Sequence, residues 1–202
     1  MRGRDGEDGA DLMVVVLAGG AGRRMGGGKP LRLLRGHSLI SIALDKARGW
    51  SPRVAVSVRS PDQVGPVDAP LILDGPDIAG PLAGLAAALD LARLASVPRL
   101  LTLPCDMPGL PDDLARRLCE ALVPDAGAVV ATCGGRLHPV CAVWDVRVRA
   151  DLPAYIAAGR SSVKGFAEVV GMETVDWTLQ AAPAFSNLNT PADLDQAMRR
   201  RP

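Results

Sequence analysis

The sequence predicts a single α/β domain of the Rossmann-like, doubly wound type, with a mostly parallel sheet and a small antiparallel insertion. Apolar, β-branched runs alternate with helical segments through the first two-thirds of the chain, which is the order that builds a parallel sheet. The length of 202 residues suits one domain. No repeat or linker divides the chain, so we assign residues 1–11 to a disordered N-terminal tail and residues 12–202 to the domain.

The first strand is predicted over Leu12–Leu17, a continuous apolar run that leads into Ala18, Gly19 and Gly20. Such a run is typical of a strand that is buried on both faces. Ser38 is placed to cap the first helix, which runs to about Arg48. Further strands are expected at 53–58, 70–73 and 99–103, with helices at 81–95 and 114–122.

The remaining third of the chain predicts strands at 127–132 and 140–144, joined as a hairpin around Gly134 and Gly135. Helical segments follow near 147–158 and 162–170, and then a weak strand at 173–177. Thr190 is a good cap for the last helix, because a threonine hydroxyl accepts a hydrogen bond from the first turn.

Composition excludes several classes of function. Apolar residues make up 48% of the chain and charged residues 22%, an ordinary globular balance. The formal net charge of +1 gives no case for a nucleic-acid partner. No apolar run is long enough for a membrane span, and the N-terminus lacks a signal-peptide core, so we expect a cytoplasmic protein. The four cysteines lack zinc-site spacing and are expected to be reduced and mostly buried.

Three predicted strands end on residues suited to binding a charged ligand. The first ends at Gly19-Gly20, the third at Asp74, and the fourth leads into Asp106. The carboxyl ends of parallel strands meet at one edge of a sheet, and ligands of open α/β sheets bind there. We therefore expect these three positions to lie close together.

The loop from Leu17 to Lys29 is rich in glycine and carries the cations Arg23, Arg24 and Lys29. Glycine lets backbone N–H groups approach a polyanion, and the cations add donors for phosphate. The loop does not fit the P-loop template, because Arg23 stands at the first glycine position and a proline follows the lysine. It does not fit the dinucleotide-binding fingerprint either, so the residues alone predict phosphate binding and no more.

Asp106 lies between two prolines, in Pro104-Cys105-Asp106-Met107-Pro108. A carboxylate that faces a triphosphate is a suitable ligand for Mg²⁺, which is usually held by one or two carboxylates together with phosphates and water. An aspartate in this setting can equally serve only to form a turn. Asp74 has the same two interpretations, and Asp77 competes with it for any role at the nucleotide.

Other candidates have weaker patterns. Gly80-Pro81-Leu82-Ala83-Gly84 either brings a helix start near the ligand or allows close packing of a helix on the sheet. His138 either contacts a substrate or has a structural role. Asn187 and Asn189 either bind a polar ligand or shape the turn before the last helix.

These motifs, taken in order, resemble a known family. Leu17-Ala18-Gly19-Gly20, Arg24-Met25-Gly26 and Lys29-Pro30 are similar to the signature of the sugar-nucleotide and cofactor nucleotidyltransferases. The segments Gly80–Gly84, Pro104–Pro108, His138-Pro139-Val140 and Asn187–Pro191 together resemble the molybdenum cofactor guanylyltransferases. The resemblance runs from Leu17 to about Leu194.

The resemblance implies transfer of GMP from GTP to the molybdenum–molybdopterin cofactor, with release of pyrophosphate and with Mg²⁺ as cofactor. It implies that Asp106 holds the metal and that Lys29 and Arg24 offset charge on the phosphates. Asn187, Asn189 and His138 would lie toward the acceptor. Molybdoenzymes would receive the product, and other cofactor-biosynthesis proteins would be further partners. The remaining nucleotide contacts implied are Leu17, Ala18, Gly19, Gly20 and Asp74.

The chain also departs from that family's pattern. The approach to Lys29 and the stretch from Asp74 to Gly80 each lack one residue, and Arg59 stands where the family often has asparagine. The alternatives are a cytidylyltransferase for the same cofactor, a sugar-phosphate nucleotidyltransferase, or a non-catalytic nucleotide-binding adaptor of the same fold.

Overall fold

Strands and helices alternate along the residues that the computed structural model describes, 11–20 and 27–199. The expected tail therefore lies outside the described residues, apart from Asp11. The strands are β1 (Leu12–Leu17), β2 (Leu33–Leu34), β3 (His37–Ser38), β4 (Arg53–Val58), β5 (Leu71–Leu73), β6 (Arg99–Pro104), β7 (Ala128–Cys133), β8 (Arg136–Asp145) and β9 (Met172–Trp177). The α-helices are α1 (Leu39–Trp50), α2 (Pro81–Leu94), α3 (Leu114–Glu120), α4 (Leu152–Ala157), α5 (Val163–Val169) and α6 (Pro191–Arg199). Short 3-10 helices cover Lys29–Leu31, Pro61–Gln63, Val146–Ala150 and Leu179–Ala181.

Seven strands form one sheet in the order β5-β4-β1-β6-β8-β7-β9. The pairs β5–β4, β4–β1, β1–β6 and β7–β9 are parallel, and only β8 runs against its two neighbours in this sheet. A separate antiparallel pair, β2–β3, lies outside it. The predicted fold class is confirmed. The hairpin expected around Gly134 and Gly135 is present, and it supplies two strands of the main sheet.

The pairing of β7 with β8 shifts register between Val130 and Ala131. Val130 pairs with Ala142, whereas Ala131 pairs with His138, so β8 carries extra residues at this point. Pro139 lies within the extra stretch and has no N–H to donate to a ladder. The irregularity leaves the Val140 carbonyl to accept a hydrogen bond of 2.8 Å from the Thr102 hydroxyl.

The sheet is buried on both faces, and alternate residues of β1 supply two separate cores. Val14 and Val16 pack with α1 and α3, whereas Met13 and Val15 pack with α2, α4 and α5. The scarcity of aromatic residues is consistent with this packing, since Leu, Val and Ala fill most of both cores. These cores hold the strand ends of β1, β4, β5 and β6 in fixed relative positions.

Local capping signals are confirmed at both ends of the fold. The Ser38 hydroxyl accepts a hydrogen bond of 3.2 Å from the Ser41 amide at the start of α1. At α6, the Thr190 hydroxyl accepts from the Asp193 amide at 3.2 Å, while Asp193 accepts from the Thr190 amide at 2.8 Å. Among the described residues, no helix has the length and apolar character that crossing a bilayer requires.

Candidate active site

The strand ends that were expected to meet do lie around one cleft, whose volume is about 540 Å³. Asp74 follows β5, and Asp106 follows β6. Both aspartates line the cleft together with Lys29, which begins the first 3-10 helix. The residues from the end of β1 that line it are Leu17, Ala18, Gly19 and Gly20. The sheet topology therefore brings the glycine-rich loop and two carboxylates to the same cleft.

Lys29 connects three parts of the chain at one end of this cleft. Its ammonium group donates hydrogen bonds to Asp106 Oδ2 and, at 2.8 Å, to Asn189 Oδ1. The side chains of Lys29 and Asp106 are each 13% exposed, so water screens this ion pair only weakly. The Leu188 amide donates to the Asp106 carbonyl at 2.9 Å and holds the segment before α6 against the cleft.

Asp106 has a second carboxylate oxygen, Oδ1, that is buried and forms no hydrogen bond with the described residues. A buried acceptor without a partner is costly, and a bound cation would satisfy it. The described residues contain no cluster of three or more histidine, cysteine or acidic side chains that could enclose a metal. The donor set fits Mg²⁺, which is commonly held by one carboxylate with substrate phosphates and water.

Asp74 lies on the opposite wall of the cleft, against two glycines. A Cβ atom on Gly19 would lie 2.0 Å from Asp74 Oδ2, and a Cβ atom on Gly84 would lie 3.4 Å from Asp74 Oδ1. Gly19 is therefore needed to leave room for the carboxylate, whereas a Cβ atom on Gly84 would only be in ordinary contact with it. Of the two aspartates that the sequence left open, Asp74 lines the cleft, whereas Asp77 is exposed and does not line it.

The start of α2 also borders the cleft. Gly80 and Pro81 line it, and Pro81 occupies the first turn of α2 as expected. Gly80 has φ 69° and ψ −158°, a conformation that is essentially restricted to glycine. The Gly80–Gly84 segment thus has both of the roles considered for it, since it begins a helix at the cleft and packs that helix closely on the sheet.

A second cleft of about 670 Å³ adjoins the first, and Asn187 and Asn189 line both. His138 and Arg136, from β8, line the second cleft only. The shared asparagines place Lys29 and Asp106 near the boundary between the two clefts. A donor bound in one cleft and an acceptor bound in the other would meet at this boundary.

His138 is largely enclosed by its neighbours. Its ring lies 4.9 Å from the Phe185 ring, centroid to centroid, and the residue is 7% exposed. Burial lowers the pKa of His138, and the positive charge of Arg136 lowers it further. The imidazole is therefore neutral near pH 7, which suits hydrogen bonding better than binding of an anion by charge.

The cysteines are free thiols, and three of the four are buried. Cys105, which precedes Asp106, has its pKa raised to about 12, first by burial and then by the Asp106 charge. It therefore stays protonated and is a poor nucleophile. The expectation that the cysteines are mostly buried is confirmed.

Two residues that line the clefts, Ser57 and Arg136, were not identified from the sequence. Arg23 and Arg24 lie outside the described residues. Ser57, which was missed, lines the first cleft and donates a hydrogen bond to Asp74. A polar residue among the apolar residues that end β4 was the available signal. Arg136 was not identified from the sequence either, because an arginine after a glycine turn is typical of an exposed surface position.

Comparison with known proteins agrees with this architecture. Residues 14–173 match the family model of the MobA-like NTP transferase domain. Molybdenum cofactor guanylyltransferase from Cereibacter sphaeroides is 38% identical over 188 residues, which cover 92% of this chain and 95% of that protein. The protein of the same name from Acidiphilium cryptum is 38% identical over 193 residues, covering 94% and 95% of the two chains.

Two solved structures have the same fold. Molybdopterin-guanine dinucleotide biosynthesis protein A from Archaeoglobus fulgidus has a TM-score of 0.73 at 24% identity and covers 92% of this chain and 96% of its own. The 2-C-methyl-D-erythritol 4-phosphate cytidylyltransferase from Thermus thermophilus has a TM-score of 0.70 at 20% identity, with coverage of 92% and 96%. At these sequence identities, the structural similarity shows a shared fold only.

Proposed function

The chain belongs to the MobA-like NTP transferases and, among them, to the molybdenum cofactor guanylyltransferases, and from this premise we propose that it transfers GMP from GTP to the molybdenum–molybdopterin cofactor. Pyrophosphate is the second product. The observation that carries the proposal is the pair of adjoining clefts, with Lys29 and Asp106 close to the boundary that Asn187 and Asn189 share. Transfer of a nucleotidyl group needs a donor site and an acceptor site that meet at the reacting phosphate.

In this proposal the cleft between Asp74 and Asp106 binds GTP. Backbone groups of Ala18, Gly19 and Gly20 lie along the nucleotide, and Lys29 binds its phosphates. Asp106 holds Mg²⁺ through the carboxylate oxygen that has no partner among the described residues. Bound there, the metal neutralises charge on the phosphate oxygens. Arg24, which lies outside the described residues, adds a further positive charge near the pyrophosphate.

The reaction joins two anions, so catalysis consists mainly of positioning and charge neutralisation. An oxygen of the molybdopterin phosphate attacks the α-phosphorus of GTP. A new P–O bond forms, and the bond from the α-phosphorus to the oxygen that bridges the α- and β-phosphates breaks, so that pyrophosphate leaves. Lys29 stabilises the charge that develops on that oxygen. The attacking phosphate is largely ionised near neutral pH, so no general base is needed.

The second cleft receives the acceptor in this proposal. Asn187 and Asn189 offer amide groups to both substrates, and the neutral ring of His138 offers a hydrogen-bonding group beside Phe185. We expect the reaction to take place in the cytoplasm, with molybdoenzymes as recipients of the product.

The test is release of pyrophosphate from GTP in the presence of Mg²⁺ and molybdenum–molybdopterin, with CTP, UTP and ATP as competitors. We expect GTP to be used in strong preference and the guanine dinucleotide form of the cofactor to accumulate in step with pyrophosphate. Preference for CTP would indicate a cytidylyltransferase, and preference for UTP with a sugar phosphate would indicate the sugar-phosphate alternative. Binding of GTP without turnover of any related acceptor would indicate the non-catalytic adaptor.

A further inference from the structure

A hydrogen bond at the wall of the first cleft joins the ends of two strands. The Ser57 hydroxyl donates to Asp74 Oδ1. Ser57 has no exposed surface, and its neighbours on both sides are fixed by the sheet, since it pairs with Leu17 of β1 and Ile72 of β5. Its carbonyl accepts from the Ala18 amide at 2.8 Å. The hydroxyl therefore reaches Asp74 from a rigid position.

Two glycines border the space that contains the Asp74 carboxylate and the Ser57 hydroxyl. A Cβ atom on Gly84 would lie 2.7 Å from the Ser57 hydroxyl oxygen, and one on Gly19 would lie 2.0 Å from Asp74 Oδ2. The Asp74 amide donates to the Val58 carbonyl at 2.8 Å and fixes the backbone as well. The backbone, one carboxylate oxygen and the space around both oxygens are thus determined by neighbouring residues.

The two oxygens of Asp74 consequently have different environments. Oδ1 accepts the Ser57 hydroxyl, whereas Oδ2 has no hydrogen-bond partner in the described part of the chain and lies over Gly19 at the cleft. Asp74 and Asp106 follow β5 and β6, which are three strand spacings apart, or about 14 Å. Asp74 is therefore at the end of the cleft away from Lys29, where the base of a bound nucleotide would lie.

The chemistry of the bases selects among the nucleotides. Guanine presents two adjacent donors on one edge, the N1–H and the 2-amino group, whereas cytosine and adenine place an acceptor beside their amino group. A carboxylate oxygen accepts hydrogen bonds and cannot donate one. We propose, resting on the proposed function, that Ser57 is a positioning residue, which holds Asp74 so that Oδ2 accepts from the donor edge of guanine.

Other charged groups at this wall cannot take that role. Asp106 lies at the other end of the cleft, where it pairs with Lys29. Arg59 borders Gly19, with its Cγ 3.5 Å from the position of a Gly19 Cβ, but its guanidinium has donors only. Among the charged side chains that the structure describes at this wall, Asp74 is the acceptor. Because Ser57 binds Oδ1, Oδ2 is the oxygen left for a ligand.

The experiment compares GTP with inosine triphosphate, which lacks the 2-amino group, by calorimetric binding in the presence of Mg²⁺. Wild-type protein should bind GTP about 10- to 100-fold more tightly, the range for one hydrogen bond to a charged group. In Ser57→Ala this ratio should fall toward one, mainly through weaker GTP binding. In an Asp74→Ala background, Ser57→Ala should have no further effect on the ratio, because a positioning residue acts through its partner.

Ser51→Ala is the matched control. Ser51 is also a buried serine beside β4, and its hydroxyl donates to the Leu12 carbonyl at 2.6 Å. It does not line the cleft, so this variant should keep the full preference for GTP. Binding of magnesium pyrophosphate, which occupies the Lys29 end of the cleft, should be unchanged in Ser57→Ala and reports that the variant is folded.

The results separate two failures. If wild-type protein prefers GTP but Ser57→Ala keeps the same GTP-to-inosine ratio, the role of Ser57 is refuted while the proposed function stands. The role of Ser57 is also refuted if Ser57→Ala and Asp74→Ala change the GTP-to-inosine ratio independently. It is refuted as well if wild-type protein binds GTP and inosine triphosphate equally, as it would if Asp74 contacted the ribose. If wild-type protein prefers CTP or UTP, the proposed function itself is refuted.

Discussion

Asp106→Asn separates the proposed metal-binding role of Asp106 from its structural role. The substitution keeps the shape of the side chain and removes its charge. In the wild-type protein, the buried Oδ1 without a partner among the described residues destabilises the fold by about 1–3 kcal/mol. The charged hydrogen bond from Lys29 to Oδ2 stabilises it by about 1.5–3 kcal/mol. In the variant, the asparagine oxygen can still accept from Lys29, although this bond is weaker because the side chain is neutral. The amide nitrogen replaces the unpartnered carboxylate oxygen and removes the negative charge there, so the net change in stability is small.

We therefore expect the free energy of unfolding to change by less than about 2 kcal/mol, equivalent to less than about 8 °C in Tm for a chain of this length. Turnover should fall about 100-fold or more, the scale for losing one electrostatic contact that stabilises the transition state. The ligand response separates the two effects. At a Mg²⁺–GTP concentration 100-fold above Kd, wild-type protein should gain about 2.7 kcal/mol, or about 5–11 °C.

The assay is thermal unfolding with GTP alone and with GTP plus Mg²⁺, combined with measurement of pyrophosphate release. Asp106→Asn should lose most of the increment that Mg²⁺ adds. Asp112→Asn is the matched control, because Asp112 also pairs with a lysine, at 2.7 Å from Lys46 Nζ, but is 97% exposed and distant from the clefts. A folded Asp106→Asn protein with wild-type turnover and the full Mg²⁺ increment would refute the assignment of Asp106 to the metal.

Four further outcomes follow from the structure. Lys29→Gln should lower turnover by at least about 100-fold and should also lower Tm, followed by circular dichroism, because it leaves the Asp106 carboxylate without its charged partner. Turnover of the folded variant within threefold of wild type would contradict the proposed role of Lys29 at the phosphates. Gly127→Ala should destabilise the protein by more than about 2 kcal/mol, because its Cβ would lie 2.3 Å from the Val170 carbonyl oxygen. Gly49→Ala, in α1 with nothing within 4 Å, should stabilise it by about 0.5–1 kcal/mol, and equal urea midpoints for both variants would contradict the packing argument. Because the pKa of His138 is lowered in the folded protein, its contribution to stability is present above the unfolded-state pKa of about 6.5 and is lost as pH falls below it. His138→Gln should therefore reduce the fall in the free energy of unfolding between pH 7 and pH 5, measured by urea unfolding, and His37→Gln is the control. An unchanged dependence of the unfolding free energy on pH in His138→Gln would contradict this. Cys105, with its pKa of about 12, should resist alkylation at pH 8 until the protein unfolds, and rapid labelling of Cys105 in the native state, detected by peptide mass spectrometry, would contradict its burial.

Much of the fold was predictable from local signals. The apolar run Leu12–Leu17 and the alternation of strands and helices predict the parallel sheet, because periodicity and β-branching act within a few residues. The caps at Ser38 and Thr190 are equally local. Strand ends at Gly19, Asp74 and Asp106 were predictable as neighbours for the same reason, since parallel strands share an edge.

Other features depend on which strands become neighbours, and local periodicity does not determine the order of strands in the sheet. The two strands of the hairpin at Gly134 and Gly135 were predictable from the sequence. The position of β8 between β6 and β7 in the main sheet was not predictable from it. This position of β8, paired with β7 at His138 and Arg136 and with β6 farther along, places both residues at the second cleft. The choice between Asp74 and Asp77 likewise depends on the space beside Gly19.

The sequence by itself therefore determined the fold class, the edge of the sheet at which the first cleft lies and the kinds of side chain at that edge. The tertiary structure alone decided how those side chains are paired. Lys29 bonds to Asp106, 77 residues away, and to Asn189, 160 residues away, while Ser57 holds Asp74. Contacts at such separations arise from the packing of both cores around the sheet, because propensity and periodicity carry no information about which distant side chains will meet.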